Sequence, residues 1–303
     1  MDRTYIFVRV MVSLGLLVGL AVWLDMATLV SRLASIRPPV VLLAIGISVL
    51  QVVVLAWRWR FTALKLGVRL SFTMAWREYY LSIFLNQVLP GGVMGEVSRA
   101  WRQVWAQNRI DEPGGPAVRA VIFERLSAQV VMTTVAVVSL LALPATISSS
   151  SRFGTFAAGT AAVFLIAIMI LWFRRQSAVQ PLLRRVIADL VTTHLSLPVF
   201  TVQFVSAIIV VGTYLATYVL AARVVGVEVP LPVLLPLVAP VLMTMLIPVT
   251  VAGWGLREGG AALLWGAVGL TAADGVVVSV TYGLLVLVGS LPGAVVLVMS
   301  PSR

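Results

Sequence analysis

Charged side chains set inside apolar sequence are the first candidates for chemistry, because a charge at membrane depth persists only beside a partner, a ligand or water. Glu96, Arg99 and Arg102 follow one another at three-residue steps, on roughly one face of a helix. They come just after Asn86, Pro90, Gly91 and Gly92 in LSIFLNQVLPGGVMGEVSRAWRQ. The proline and paired glycines stop one helix and let the chain turn before a second helix starts near Val93. Amides freed at such a break, at the positive end of the following half-helix, favour an anion. Beside Arg99 and Arg102, that turn makes a cradle for a phosphate group. A blander reading stays open: Glu96 and Arg99 as a structural pair, and Arg102 as a marker of the membrane interface.

A second interrupted stretch, MTMLIPVTVAGWGLREGG, holds Thr244, Pro248, Gly253, Arg257 and Glu258. Adjacent residues on a regular helix point about 100° apart, so Arg257 and Glu258 are expected to need partners other than each other. The alternative puts both at the outer head-group level with Trp254 as an anchor. Glu124 and Arg125, in AVRAVIFERLSAQ, stand about one turn inside an apolar span. They are placed either to pair with the first stretch, Glu124 with Arg99 and Arg125 with Glu96, or to snorkel to the interface.

These groups must be positioned by a membrane protein. Of 303 residues, 60% are hydrophobic and 11% charged, and the mean hydropathy is +1.05. That is more apolar side chain than a soluble core can hide, which excludes a soluble enzyme. With no cysteine and one histidine, His194, disulfides, thiolate chemistry and the usual zinc sites drop out, and neither metal nor cofactor is expected. The net charge of +11 would suggest nucleic acid in a soluble chain. Here the cations lie between apolar spans, where they set topology and meet anionic phospholipid, so membrane lipid rather than nucleic acid is the expected partner.

The expected fold class is an all-α polytopic membrane protein: a single integral membrane domain over residues 1–303, with six full spans and two broken, re-entrant helical hairpins. The spans are Tyr5 to Leu24, Pro39 to Trp57, Ala120 to Leu143, Phe153 to Phe173, Val199 to Ala222 and Gly275 to Met299. The hairpins are Tyr79 to Ala100 and Leu231 to Leu270. Nine cations between Arg58 and Arg119, and four between Arg174 and Arg185, place those connections in the cytoplasm, and with them both termini. The protein is then expected in the inner (plasma) membrane, its first hairpin entering from inside and its second from outside. Two spans, a broken stretch and a span, repeated upside down, make inverted halves 1–145 and 150–303. In support, Asn86, Gly95 and Arg99 stand around Pro90 at the spacings that Thr244, Gly253 and Arg257 keep around Pro248.

Other features read more plainly. His194 is expected to be a solvated loop residue, and AWRWR at Ala56 to Arg60 an interfacial belt with basic anchors.

Four segments in order, RWRFTAL from Arg58, FLNQVLPGGVMGEVSRA from Phe84, IFERL from Ile122 and IPVTVAGWGLREGG from Ile247, resemble the family known as the lysylphosphatidylglycerol synthase transmembrane region. The likeness covers nearly the whole chain. Where that family commonly shows a Gly-Gly-Asp type of turn, this chain has Met94, Gly95 and Glu96, which keeps the carboxylate. Members that make lysylated lipid carry a soluble aminoacyl-transfer domain after the membrane part, and this chain ends at Arg303. The resemblance therefore implies the translocating half alone, a flippase-like protein for a phospholipid or lipid-linked intermediate. Two other readings stand beside it: a non-catalytic membrane partner of a lipid-modifying synthase, and a polyprenyl-phosphate-dependent transferase. Since no phosphate-binding nucleotide loop is found, any drive would come from a lipid or ion gradient or the membrane potential.

Overall fold

The computed structural model describes residues 38–89, 94–106, 115–142, 187–195, 197–246 and 250–299, with the isolated residues 11 and 15. Among them are nine α-helices: α1 (Pro38–Lys65), α2 (Phe72–Val88), α3 (Met94–Ala106), α4 (Pro116–Ala142), α5 (Leu197–Val224), α6 (Leu231–Met243), α7 (Leu256–Ala267), α8 (Ala272–Ser290) and α9 (Pro292–Met299). A π-turn, Val191–Leu195, precedes α5, and a 3-10 turn, Thr244–Leu246, follows α6.

Four helical stretches are long and apolar enough to cross a membrane: α1, α4, α5, and α8 continued by α9. At 28 residues each, α1 and α5 reach about 42 Å, beyond the hydrocarbon thickness of roughly 30 Å. These four match the expected spans beginning at Pro39, Ala120, Val199 and Gly275. The expected spans Tyr5 to Leu24 and Phe153 to Phe173 lie outside the described residues.

Local sequence sets the ends. Prolines occupy the first turns of α1, α4 and α5, where a missing N–H breaks no helical bond. Both α1 and α5 stop in the same way, at Gly67 and Gly226 with φ of 73° and 75°. In each the next residue's N–H reaches back five positions, Val68 to Ala63 and Val227 to Ala222, and so satisfies an orphan carbonyl. Ser71 caps α2 by accepting from the Met74 N–H.

Each broken stretch folds as two short helices that pack on each other. In the first, α2 and α3 run antiparallel, since Asn86 bonds Gly95 and Glu96 near the tip while Glu78 meets Arg102 toward the base. Gly95 is needed there, because a Cβ would collide with the Ser82 carbonyl and hydroxyl. In the second, α6 carries Pro236 and Pro240 within it and gives way to the 3-10 turn at Thr244. The chain re-enters α7 through Gly253 and Gly255, at φ of 78° and 86°.

Two large apolar cores, with a smaller one at Val131, Ala207 and Val211, hold the described helices together. One gathers Trp59, Tyr79 and Ala120 from α1, α2 and α4, and the other Tyr218, Leu237, Trp265 and Tyr282 from α5, α6, α7 and α8. Thr62, near the end of α1, accepts from Gln203, near the start of α5, so these long helices are antiparallel. Two expectations are corrected here. Arg58 and Trp59 are fully buried rather than interfacial, because α1 continues to Lys65 and the face bearing Leu55, Trp59 and Thr62 turns inward. His194 is half-buried and stands edge-on to Phe123 instead of in open solvent.

Candidate functional site

The arginine in the middle of α3 is enclosed on every side. Arg99 lies between two rings, its guanidinium carbon 4.5 Å from the centre of Trp59 and 4.1 Å from that of Tyr79. Its Nη2 donates to Glu124 Oε2 at 3.2 Å, and the Tyr79 hydroxyl donates to the same oxygen at 2.8 Å. One turn nearer the tip, Glu96 Oε1 meets Arg125 Nη1 at 2.9 Å. Both crossed pairs, Glu124 with Arg99 and Arg125 with Glu96, are therefore formed, and neither arginine of the first constellation pairs along its own helix with Glu96. Arg102 instead meets Glu78 at 3.6 Å, a partner the sequence reading did not find.

Asn86 joins the two arms. Its amide donates to Glu96 Oε2 at 2.9 Å and its carbonyl oxygen accepts from the Gly95 N–H at 2.8 Å. This satisfies an amide of the α3 first turn that would otherwise lack a partner. Pro90, Gly91 and Gly92 lie outside the described residues.

In the second stretch Arg257 and Glu258 pair with each other and, as expected, each also has partners elsewhere. Arg257 Nη2 is 2.7 Å from Glu258 Oε1, and Ser279 of α8 completes the ring by accepting from Arg257 Nε and donating to Glu258 Oε1, both at 3.0 Å. The guanidinium also faces Trp254 and Tyr282, at 4.9 and 5.2 Å. Glu258 Oε2 accepts from the Gly255 N–H at 2.6 Å, fixing the entry to α7. Room for the cluster comes from Gly283, where a Cβ would strike Arg257 and Trp254. Thr244 donates to the Val241 carbonyl and packs against Gly260, and Gly253 lies against Met245. Pro248 lies outside the described residues.

Between the two stretches is a cavity of about 180 Å³. Asn86 and Gln87 reach it from α2, and Met243, Met245 and Ala252 from the second stretch. The long helices contribute residues near their middles: Gln51 of α1, Gln129 of α4, Val210 and Tyr214 of α5, and Val286 of the stretch formed by α8 and α9. Glu124 and Arg125 line it as well. Of the charged groups in the two constellations, Arg99, Glu124, Arg257 and Glu258 are sealed, whereas the Arg125 side chain is 44% exposed and lines the cavity. Asn86, Glu124 and Arg125 thus come together at one wall; Glu96 and Arg99 stand one contact behind them; Arg257 and Glu258 lie behind Met245 and Tyr282. Gln51, Gln87, Gln129 and Tyr214 were missed. The signal for Gln51 and Gln129 was a polar amide in the centre of an apolar span.

No curated protein and no solved structure matches the chain. One family does: the model described as "Lysylphosphatidylglycerol synthase TM region" matches residues 6–293. Long apolar helices, two interrupted ones and that match agree, and the chain belongs to the lysylphosphatidylglycerol synthase transmembrane-region family, helical membrane proteins tied to lipid.

Proposed function

We propose that the protein is a lipid translocase that passes the head group of a phospholipid or lipid-linked intermediate through the central cavity. The observation that carries this reading is the position of that cavity: it adjoins both broken stretches and lies near the middle of all four long helices. Amide side chains and a guanidinium set around a pocket at such a depth have no structural need to be there, since apolar side chains would fill the space at lower cost. Arg125 is the cation available to a head-group phosphate, with the buried pairs of Arg99 and Arg257 holding the two breaks in shape.

The same reading gives the architecture its symmetry. In this account α1 to α4 and α5 to α8 are inverted halves within 1–145 and 150–303. What supports it is the recurring order of a long helix, two short ones and another long one, with α1 and α5 equal in length and ending on the same glycine turn. Each half also sets an arginine on its second short helix, faced by two aromatic rings and a carboxylate. The first hairpin then enters from the cytoplasm and the second from outside, in an inner membrane crossed six times with both termini inside.

The test is reconstitution of the full chain in vesicles that carry a fluorescent phospholipid in both leaflets. Protein-containing vesicles should expose inner-leaflet lipid to a membrane-impermeant quencher well above empty ones, and Arg125→Ala should remove most of that excess. Gly259→Ala, where an added methyl meets nothing within 4 Å, should not. Rates equal to those of empty vesicles would overturn the reading and favour a non-catalytic partner of a separate synthase.

A further inference from the structure

We infer that the Glu124 carboxylate exchanges between two buried arginines, Arg99 of α3 and Arg58 of α1, and that Arg58 is a positioning residue whose hold on Glu124 releases the re-entrant arm α3 from its seat. What the release serves, opening the cavity to lipid, rests on the translocase reading.

The balance of charge comes first. Arg58, Arg99 and Glu124 are each at most 1% exposed, so two cations and one carboxylate are sealed together by α1, α3 and α4. Glu124 is paired with Arg99. The other carboxylates nearby are engaged elsewhere, Glu78 with Arg102, Glu96 with Arg125 and Asp189 with Arg119. Arg58 has no carboxylate partner among the described residues. Its Nη2 donates to Ser127 Oγ at 2.7 Å, and its Nε and Nη1 are buried with no acceptor in the protein. A sealed cation without a counter-charge is more costly than a methionine of similar size, so stability alone gives no reason for an arginine here.

The two arginines address one face of α4. Ser127, which Arg58 meets, stands three positions after Glu124, which Arg99 meets, and residues so spaced are neighbours on a helix. Burial, then the Arg58 cation, depress the His194 imidazole and Glu124 opposes them, as charges sharing one neighbourhood do. Glu124 Oε2 takes the bonds from Tyr79 and Arg99, while Oε1 is buried with no donor. A change of rotamer turns that carboxylate from one guanidinium to the other, with nothing arriving from outside.

Each state has one pair and one arginine alone, but the arginines differ in their freedom. Arg58 belongs to a 28-residue helix packed in the first core, whereas Arg99 belongs to a 13-residue arm. Once Arg99 has lost its carboxylate, the cost of a lone buried cation falls only as α3 carries it toward water or the membrane surface.

Release can be read by labelling. Val104 of α3 is 8% exposed in the first core, and the chain has no cysteine, so Val104→Cys gives a single reporter. The full-length protein in detergent is treated with a maleimide, and the labelling rate is followed alongside the melting temperature. Adding Arg58→Met should slow labelling at least about 10-fold, because the released state loses its ion pair, with the melting temperature kept or raised. Arg58→Lys, which keeps a cation, should restore most of the rate. A purely structural Arg58 predicts the reverse, lower stability and faster labelling. The exchange is overturned by labelling unchanged or faster in Arg58→Met, by a fall in its melting temperature, by a lysine variant no faster than the methionine one, or by a Val104→Cys protein that never labels. Slowed labelling in a protein that moves no lipid in vesicles leaves the exchange standing and removes the translocase. Lipid movement with labelling indifferent to Arg58→Met does the opposite.

Discussion

Arg99 meets Glu124 across 25 positions of sequence, at 3.2 Å, with each side chain 1% exposed. The contact ties the returning arm of the first hairpin to the long helix that follows it. In so enclosed a place the pair contributes less as attraction than as protection against either charge being left alone. Glu124→Arg should therefore cost about 3–5 kcal/mol and bring unfolding or poor insertion. The double change Glu124→Arg with Arg99→Glu should recover part of that loss, as seen in thermal unfolding in detergent. A double variant no more stable than the worse single would remove the pair from the account.

Steric fit at the hairpin gives a second expectation. Gly95→Ala places a methyl against the Ser82 carbonyl, which belongs to backbone and cannot move aside, so a loss of about 1–3 kcal/mol is expected. Gly259→Ala, in α7 with open space around it, should instead be neutral or gain up to about 1 kcal/mol from helix propensity. Opposite signs at two helical glycines would be read in one series of melting curves.

Gly253 combines both difficulties. Its φ is 78° and a Cβ would press on Met245, so Gly253→Ala should lose about 1–3 kcal/mol and disturb the cavity wall that Met245 forms. Reduced stability together with reduced lipid movement is the expected outcome, measured on the same preparation.

His194, ahead of α5 and outside the long helices, provides a pH test. Burial, then the Arg58 guanidinium beside it, hold its imidazole below the ordinary value of 6.5. A histidine depressed in the folded state is best tolerated neutral, so its penalty is absent above the unfolded value and grows as pH falls through it toward the folded one. The melting temperature should drop from pH 7 to pH 5, and His194→Gln should flatten that drop. An unchanged slope in the variant would assign the loss to other groups.

Much of this site is legible in the sequence because membrane depth makes charge conspicuous. Opposite charges one turn apart just after a proline and glycine break, with an adjacent Glu-Arg pair inside the next apolar span, suffice to suggest the crossed pairs of Glu96, Arg99, Glu124 and Arg125. The cavity wall is harder. Gln51, Gln87 and Gln129 carry no charge, and their convergence depends on how α1, α2 and α4 pack. Arg58 and Trp59 mislead for a related reason: an alternating Trp and Arg pattern suits a membrane interface, and only the length of α1 shows that this face turns inward. The closure of Arg257 on Glu258 needed Ser279 from α8, which lies 21 positions beyond Glu258.

For the proposed translocase, a chamber halfway along the long helices would also change the energetics of crossing. The self-energy of an ion in hydrocarbon rises toward the bilayer centre. In that reading the amides and the guanidinium gathered there would act where the hill is tallest, dividing one high barrier into two shorter climbs, one in each leaflet.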